Sequence, residues 1–431
     1  MGAQALQESA ARCSWNLSVM YRLLTILLWP VWLMITLRTA LREHDWRYLK
    51  QRLGYAYPQQ KKSPLWIHCA SVGEVNTWLP LQQLLARQYP ELQFVITTTT
   101  VTGAGTVARQ SLQNTQHIYF PIDTGTVVAR FLRAVQPRMV LIMETELWPE
   151  LYRQCRHHLI PVVIVNARLS HKTLRANAWI KNLYQHALQG VSQLLCRSQA
   201  DVAAYTALGA DPDKTLFLGN LKFAALHQSV SPALAFSHRP YVLAASTHDD
   251  EEWQIAQLWK TLHITNQLLV IAPRHPQRRA AILKQLAALQ MVVAVRSRGD
   301  QVNDATQVYL ADTLGELTAL MVSAEIVIMG GSLVPHGGQN LLEPARFGKA
   351  IIVGPHMHNF AAELALFLEN NACLQVANTQ ALAVALQSCL QDARQCTELG
   401  THAQQLMQQQ SDVALRYLAQ LNAHYAALLS L

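Results

Sequence analysis

Three carboxylates stand just past apolar, strand-like runs, where a side chain can meet substrate while its backbone stays fixed. Glu74 follows LWIHC (65–69) within WIHCASVGEVNTWLP (66–80), and Glu144 and Glu146 follow MVLIM (139–143) within IMETELWPEL (142–151). A Glu in the first turn of a helix is favoured by the helix dipole alone. The same position at the mouth of a sheet also suits a general base. The segment by itself leaves both readings open. Lys222 in GNLKF (219–223) adds a cation to the same half of the chain.

The second half carries residue types that handle anions. APRHPQR leaves a strand with Arg274, His275 and Arg278, followed by Arg279, and a guanidinium fork there can take a phosphate or simply be a solvated basic turn. In MGGSLVPHGGQNLLEPARFGKAIIVGPHMHNF, Gly330-Gly331 and Gly337-Gly338 permit close backbone approach to a phosphate or nucleotide. Asn340-Leu341-Leu342-Glu343-Pro344 then reads as a helix start. The loop is neither a P-loop nor a G-x-G-x-x-G after a first strand, which disfavours an ATPase or a dehydrogenase. Asp249, Asp250, Glu251 and Glu252 at the head of a helix read as solvated, dipole-favoured acids rather than a metal site. The seventeen histidines show no metal-ligand spacing, and His157-His158 reads as surface.

These loops need a scaffold of alternating strands and helices, the pattern of parallel α/β units. Strands are expected at 65–69, 94–100, 139–143 and 161–167, then at 241–246, 268–273, 292–296, 307–311, 326–330 and 350–354, with 226–240 as linker and a helical stretch from about Thr397 to Leu429. At 431 residues the chain is too long for one ordinary core. The expectation is two doubly wound Rossmann-like domains facing a cleft, behind an anchor in 1–40: 41–230 carries the acids and 231–431, with the C-terminal helices, the anion cradle, a composite suited to moving a group from a nucleotide donor in the second to an acceptor hydroxyl in the first.

A net charge of +8 favours anionic partners: nucleic acid, phosphorylated small molecules or anionic headgroups. Seven scattered cysteines without a C-x-x-C pair fit a reducing compartment. LSVMYRLLTILLWPVWLMITL (17–37) is apolar enough to span a bilayer or, with Arg22 snorkelling and Pro30 bending it, to lie in its interface. Arg38, Arg42, Arg47, Lys50 and Arg52 follow, with Trp29, Trp32 and Trp46 as interfacial anchors, which puts the basic side in the cytoplasm. A buried core helix is the alternative.

Together WIHCASVGE, TTTTVTG, METELWPEL, NARLS, GNLKF, STHDDEE, APRHPQR, TLGEL and GGQNLLEPA, in that order over nearly the whole chain, resemble the Kdo transferases. These are membrane-associated, inverting GT-B glycosyltransferases that move 3-deoxy-D-manno-oct-2-ulosonic acid (Kdo) from CMP-Kdo to the lipid A precursor in lipopolysaccharide synthesis. The first nineteen residues read as an extension before the family's usual start. The resemblance implies Glu74 as catalytic base, with Glu144 and Lys222 stabilising the transition state. It implies CMP contacts at Pro273, Arg274, Leu314 (often Met in the family), Gly315, Glu316, Asn340, Leu341, Leu342 and Glu343. It also implies no metal or other cofactor, no nucleic-acid partner, and the cytoplasmic face of the inner membrane, where CMP-Kdo and the lipid acceptor meet. The rivals are another GT-B transferase or a nucleotide-sugar epimerase, and a membrane-anchored binding protein that has lost its chemistry.

Overall fold

The computed structural model describes residues 20–226 except 61, 111 and 170, residue 234, and residues 236–430. The chain divides into two compact units, one running to Ala225 and resuming at Asp412, the other covering Leu226–Ser411.

The first unit holds seven parallel strands: β1 (Leu65–His68), β2 (Phe94–Thr98), β3 (Thr115–Tyr119), β4 (Met139–Met143), β5 (Val162–Ala167), β6 (Gln193–Cys196) and β7 (Thr215–Phe217). Their order is β3-β2-β1-β4-β5-β6-β7, so the winding reverses between β1 and β4. β1, β2, β4 and β5 are buried throughout, as expected for strands covered by helices on both faces. Alternate side chains divide between two cores. Leu65 and Ile67 join Val75, Trp78, Tyr417 and Leu421 on one face, and Trp66 joins Val95, Phe131 and Tyr152 on the other.

The second unit repeats the plan with β8 (Tyr241–Thr247), β9 (Leu268–Pro273), β10 (Val293–Val295), β11 (Val308–Leu310), β12 (Ile326–Met329), β13 (Ala350–Val353) and β14 (Leu374–Gln375). The order is β10-β11-β9-β8-β12-β13-β14, reversing between β8 and β12. In each sheet the reversal is the point where loops diverge and leave room for a ligand.

The C-terminal helices do not stay together. Helix Ala393–Gln409 belongs to the second unit, but helix Val413–Ser430 belongs to the first, which corrects the expected division at 231–431. The reason is a stripe of Val413, Tyr417 and Leu421 at helical spacing, all buried in the first unit's core. The Tyr417 hydroxyl reaches the carbonyl oxygens of Gly219 at 2.9 Å and Leu195 at 3.2 Å. Of the expected linker, residues 227–233 and 235 lie outside the described residues.

At the N-terminus, helices Met20–Leu27 and Trp29–Arg42 are bent 49° from each other, and no single helix among the described residues is long and apolar enough to cross a membrane. Pro30 sits in the first turn of the second helix, where its missing N–H costs nothing. Residues 17–19 of the expected anchor lie outside the described residues. Arg22 does not snorkel: its Nε donates to the buried Glu150 carboxylate at 3.1 Å, and the Tyr21 hydroxyl donates to Asp123 at 2.7 Å. Leu23, Ile26, Leu27, Val31, Met34 and Ile35 remain exposed.

Candidate active site

Helix Val72–Gln88 starts at Ser71, whose hydroxyl caps the Glu74 N–H at 3.4 Å. The Glu74 carboxylate turns back and accepts from the Ala70 N–H at 2.7 Å and the Ser71 hydroxyl at 3.3 Å. The Thr99 hydroxyl, just past β2, donates to the Ala70 carbonyl at 2.7 Å, so both backbone polar groups of Ala70 are held. Thr99 was not singled out in the sequence, because a hydroxyl in TTTT gives no signal of its partner.

The electrostatics reverse one expectation. A helix N-terminus should favour ionised Glu74, yet burial first, and then the neighbouring charge of Glu144, raise its pKa to about 8. Hydrogen bonds from Ala70 and Ser71 oppose this and lose. The result is a carboxylate in ion-pair contact with no cation among the described residues, holding its proton far above the ordinary carboxylate range.

Glu144 is buried after β4 with φ of +58°, a conformation that a non-glycine residue adopts under strain. Its N–H donates to Val165 at 2.9 Å, and its Oε2 lies 2.9 Å from Arg168 Nε, an ion pair whose N–H direction misses hydrogen-bond geometry. Glu146 is half-buried, its pKa raised by burial. It lies 3.9 Å from His68 Nε2, but this is no ion pair: burial pushes His68 down to about 3, so the ring is neutral, stacked on Phe120 and bonded to Thr97 at 3.0 Å.

Lys222 follows β7 in a short 3-10 segment, Leu221–Leu226. Asn166, at the end of β5 with φ of +55°, accepts the Leu221 N–H at 3.0 Å and fixes this loop against the sheet's carboxyl edge. Glu74, Glu144 and Lys222 therefore all lie a few residues past strands of one sheet. Asn166 and Arg168 belong to NARLS, a motif whose individual roles the sequence did not separate.

In the second unit Pro273, Arg274, Leu314, Gly315 and Glu316 line one cavity of about 110 Å³, with Ser246 and Thr313. Gly315 has φ of +87°, which glycine allows, and Leu314 is exposed beside it. Glu316 is held by Arg296 through two bonds of 2.6 and 3.1 Å and by the Thr313 hydroxyl, so Arg296 orients the cavity wall. Asn340, Leu341, Leu342 and Glu343 do not line this cavity. Leu341 and Leu342 are buried, so their contribution to a ligand can only be backbone, and Asn340 bonds Glu343 at 3.1 Å. Burial raises the pKa of Glu343, with the charge of Arg274 opposing, which links this segment to the cavity. A larger cavity of about 450 Å³ lies beside the N-terminal helix, but its carboxylate, Glu150, is already paired with Arg22 and Arg153.

Two expectations about anion binding are corrected. The acids at 249–252 are not all solvated: Glu251 and Glu252 are fully buried. Glu251 accepts the N–H groups of His248 at 2.8 Å, Gly331 at 2.6 Å, Ser332 at 3.1 Å and Leu333 at 3.0 Å. The glycine-rich loop thus spends these N–H groups on a carboxylate of its own chain rather than on a ligand. Gly330 is required by close approach, since a Cβ there would collide with the Ser246 carbonyl. Arg278 is likewise engaged, with Glu252 at 2.8 Å and Asp249 at 2.5 Å, and Arg279 with Asp312 at 3.4 Å. Of the basic cluster, Arg274 alone lines the cavity, exposed and without a carboxylate at ion-pair distance among the described residues.

Residues 47–225 match the family model described as 3-deoxy-D-manno-octulosonic-acid transferase (kdotransferase). The chain is 33% identical over 364 residues to the 3-deoxy-D-manno-octulosonic acid transferase of Haemophilus influenzae, covering 82% of this chain and 85% of that one. It is 34% identical over 329 residues to that of Bordetella pertussis, covering 72% and 75%. The UDP-GlcNAc 2-epimerase from Neisseria meningitidis bound to UDP-GlcNAc shares the fold, with a TM-score of 0.59 at 12% identity over 84% of this chain and all of that one. With two doubly wound sheets and this extent of identity, the chain belongs to the 3-deoxy-D-manno-octulosonic acid transferase family and is a glycosyltransferase of the GT-B fold.

Proposed function

We propose that this enzyme transfers Kdo from CMP-Kdo to a lipid A precursor, the tetraacylated lipid IVA, at the cytoplasmic face of the inner membrane. The observation that carries the reading is Glu74: a half-buried carboxylate in the first helical turn past β1, whose pKa is raised to about 8 by desolvation and Glu144. Such a group is a stronger proton acceptor than an ordinary carboxylate and titrates near working pH. Glu74 takes the proton of the acceptor's sugar hydroxyl as that oxygen attacks the anomeric carbon of Kdo. The bond to the CMP phosphate breaks on the opposite face and its electron pair leaves with CMP, which inverts the centre. Glu144 and Lys222 stabilise the oxocarbenium-like centre and the departing anionic groups. Pro273, Arg274 and Leu314–Glu316, with Asn340–Glu343, hold CMP, Arg274 supplying charge to its single phosphate without a metal.

Membrane attachment in this reading rests on the bent helix pair, whose exposed Leu23, Ile26, Leu27, Val31, Met34 and Ile35 form an interfacial apolar surface beside the exposed Arg38 and Arg42. The test is mass spectrometry of a lipid A precursor incubated with the protein and CMP-Kdo, where each sugar added is one mass step. Transfer from a UDP-sugar instead, or no mass step with any donor, overturns the reading.

A further inference from the structure

The cavity of about 110 Å³ is small beside the roughly 300–1,000 Å³ that enclose a whole ligand of nucleotide-sugar size. Part of the donor must therefore bind outside it. The strand-end loops beside Arg274 carry three histidines that the function so far does not use. His248 follows β8, His275 follows β9, and His336 sits in the glycine-rich loop after β12. The rings of His248 and His336 stack at 4.3 Å, and that of His275 meets His248 edge-on at 5.8 Å. Gln339 Nε2 lies 3.0 Å from His248 Nε2. Gly331, with φ of +65°, leaves room for the His248 ring, which a Cβ would meet at 3.2 Å. Three imidazoles come together from three loops, and the Arg274 backbone N–H, donating to the Thr247 carbonyl at 2.9 Å, ties the His275 loop to the end of β8.

The nearby acids are committed elsewhere: Glu251 to backbone N–H groups, Glu252 and Asp249 to Arg278. Backbone donors of Gly331, Ser332 and Leu333 are also taken, so anion recognition on this edge falls to side chains.

We propose that His248, His275 and His336 form a subsite for the carboxylate of the donor's sugar acid. The proposal rests on the reading that this unit binds a CMP-activated sugar acid. Partial burial, and then the charges of His336, His275, Arg274 and Arg278, push His248 down to about 4, so this ring is unprotonated when the site is empty. A bound carboxylate supplies negative charge beside these rings, and its binding draws a proton onto His248. The neutral donor sugars of other transferases lack this group, so the cluster selects for a sugar acid.

The test uses the full chain, with CMP, free Kdo and CMP-Kdo as probes. His248→Asn and His336→Asn, the latter at an exposed position, should each raise KM for CMP-Kdo at least tenfold and leave CMP affinity within twofold. Calorimetry with free Kdo at pH 6.5, in buffers of different ionisation heat, should show proton uptake in the parent and none in the double variant. An unchanged KM, or a parallel loss of CMP affinity, overturns the subsite while leaving the proposed transfer intact. Proton uptake with Kdo in a protein that neither binds CMP nor transfers sugar overturns the function and keeps the subsite.

Discussion

Glu251 accepts the backbone N–H of Gly331 at 2.6 Å, across eighty residues of sequence. With His248, Ser332 and Leu333 also donating to it, this one carboxylate shapes the glycine-rich loop. Glu251→Ala strands several buried N–H groups, each worth about 1–3 kcal/mol when unpaired. Denaturant unfolding should show a loss on the order of 3 kcal/mol or more. Full stability in this variant would mean the loop is held by something else.

Arg274 and Arg278 should separate binding from stability. Arg278→Ala leaves the buried Glu252 with the Thr247 hydroxyl but no cation, and breaking such a pair costs roughly 3–5 kcal/mol, the lower end applying here because Arg278 is partly exposed. Arg274→Ala breaks no ion pair among the described residues, so melting should stay within about 0.5 kcal/mol of the parent. CMP affinity should fall at least about tenfold, the cost of one charge-assisted contact. Calorimetry and thermal melts on the two variants should give opposite patterns.

Glu74→Gln keeps size but removes the base. Transfer should fall on the order of 10²- to 10⁴-fold with CMP affinity unchanged. A glutamate serving only the helix dipole predicts a stability loss of up to about 1 kcal/mol with activity retained. Single-turnover rates with CMP-Kdo distinguish the two.

The pH dependence follows from the same group. A base with pKa of about 8 is mostly protonated at neutral pH, so kcat/KM should rise with pH and level off above about 8. Glu144→Gln removes a neighbouring negative charge, and the inflection should move down. Stability carries the opposite sign. A carboxyl whose folded pKa is raised contributes stability at pH below its unfolded value of 4.5, and that contribution is lost as pH climbs to about 8. Above pH 8 Glu74→Gln should therefore melt higher than the parent. A flat difference between pH 5 and 9 would remove the raised pKa of Glu74.

Ile26→Asp with Met34→Asp places two charges on the exposed face of the bent helix pair. Vesicle co-sedimentation should fall about tenfold or more, since the variant forfeits the insertion into lipid of two apolar side chains, worth about 1.5–3 kcal/mol each. The sheets should be unaffected. Undiminished vesicle binding would point to another surface.

How much was legible follows from where the signal lies. Buried central strands such as MVLIM announce themselves, because a parallel strand covered on both faces is apolar at every position. β3, with its polar TQHIY, and the short β6 and β7 lack that signature and were not expected. All six strands expected in the second half are present, and only the two-residue β14 was missed. The types of the candidate site residues and their places after strands were legible. Their partners were not: Glu251 looked like one of four solvated acids because the donors it satisfies lie eighty residues away. The expectation for Glu74 had the dipole's sign right and its rank wrong, because burial is invisible in a local segment.

The return of helix Val413–Ser430 to the first unit bears on how the chain is made. Everything from Leu226 to Ser411 leaves the ribosome before the segment carrying Tyr417 and Leu421 does, on the order of ten seconds or more at about 5–20 residues per second. For that interval Trp78, Leu81 and Leu85 lack the side chains that share their core. The nascent first unit thus carries an uncovered apolar groove, a handle for a chaperone and a liability for any message truncated before Asp412.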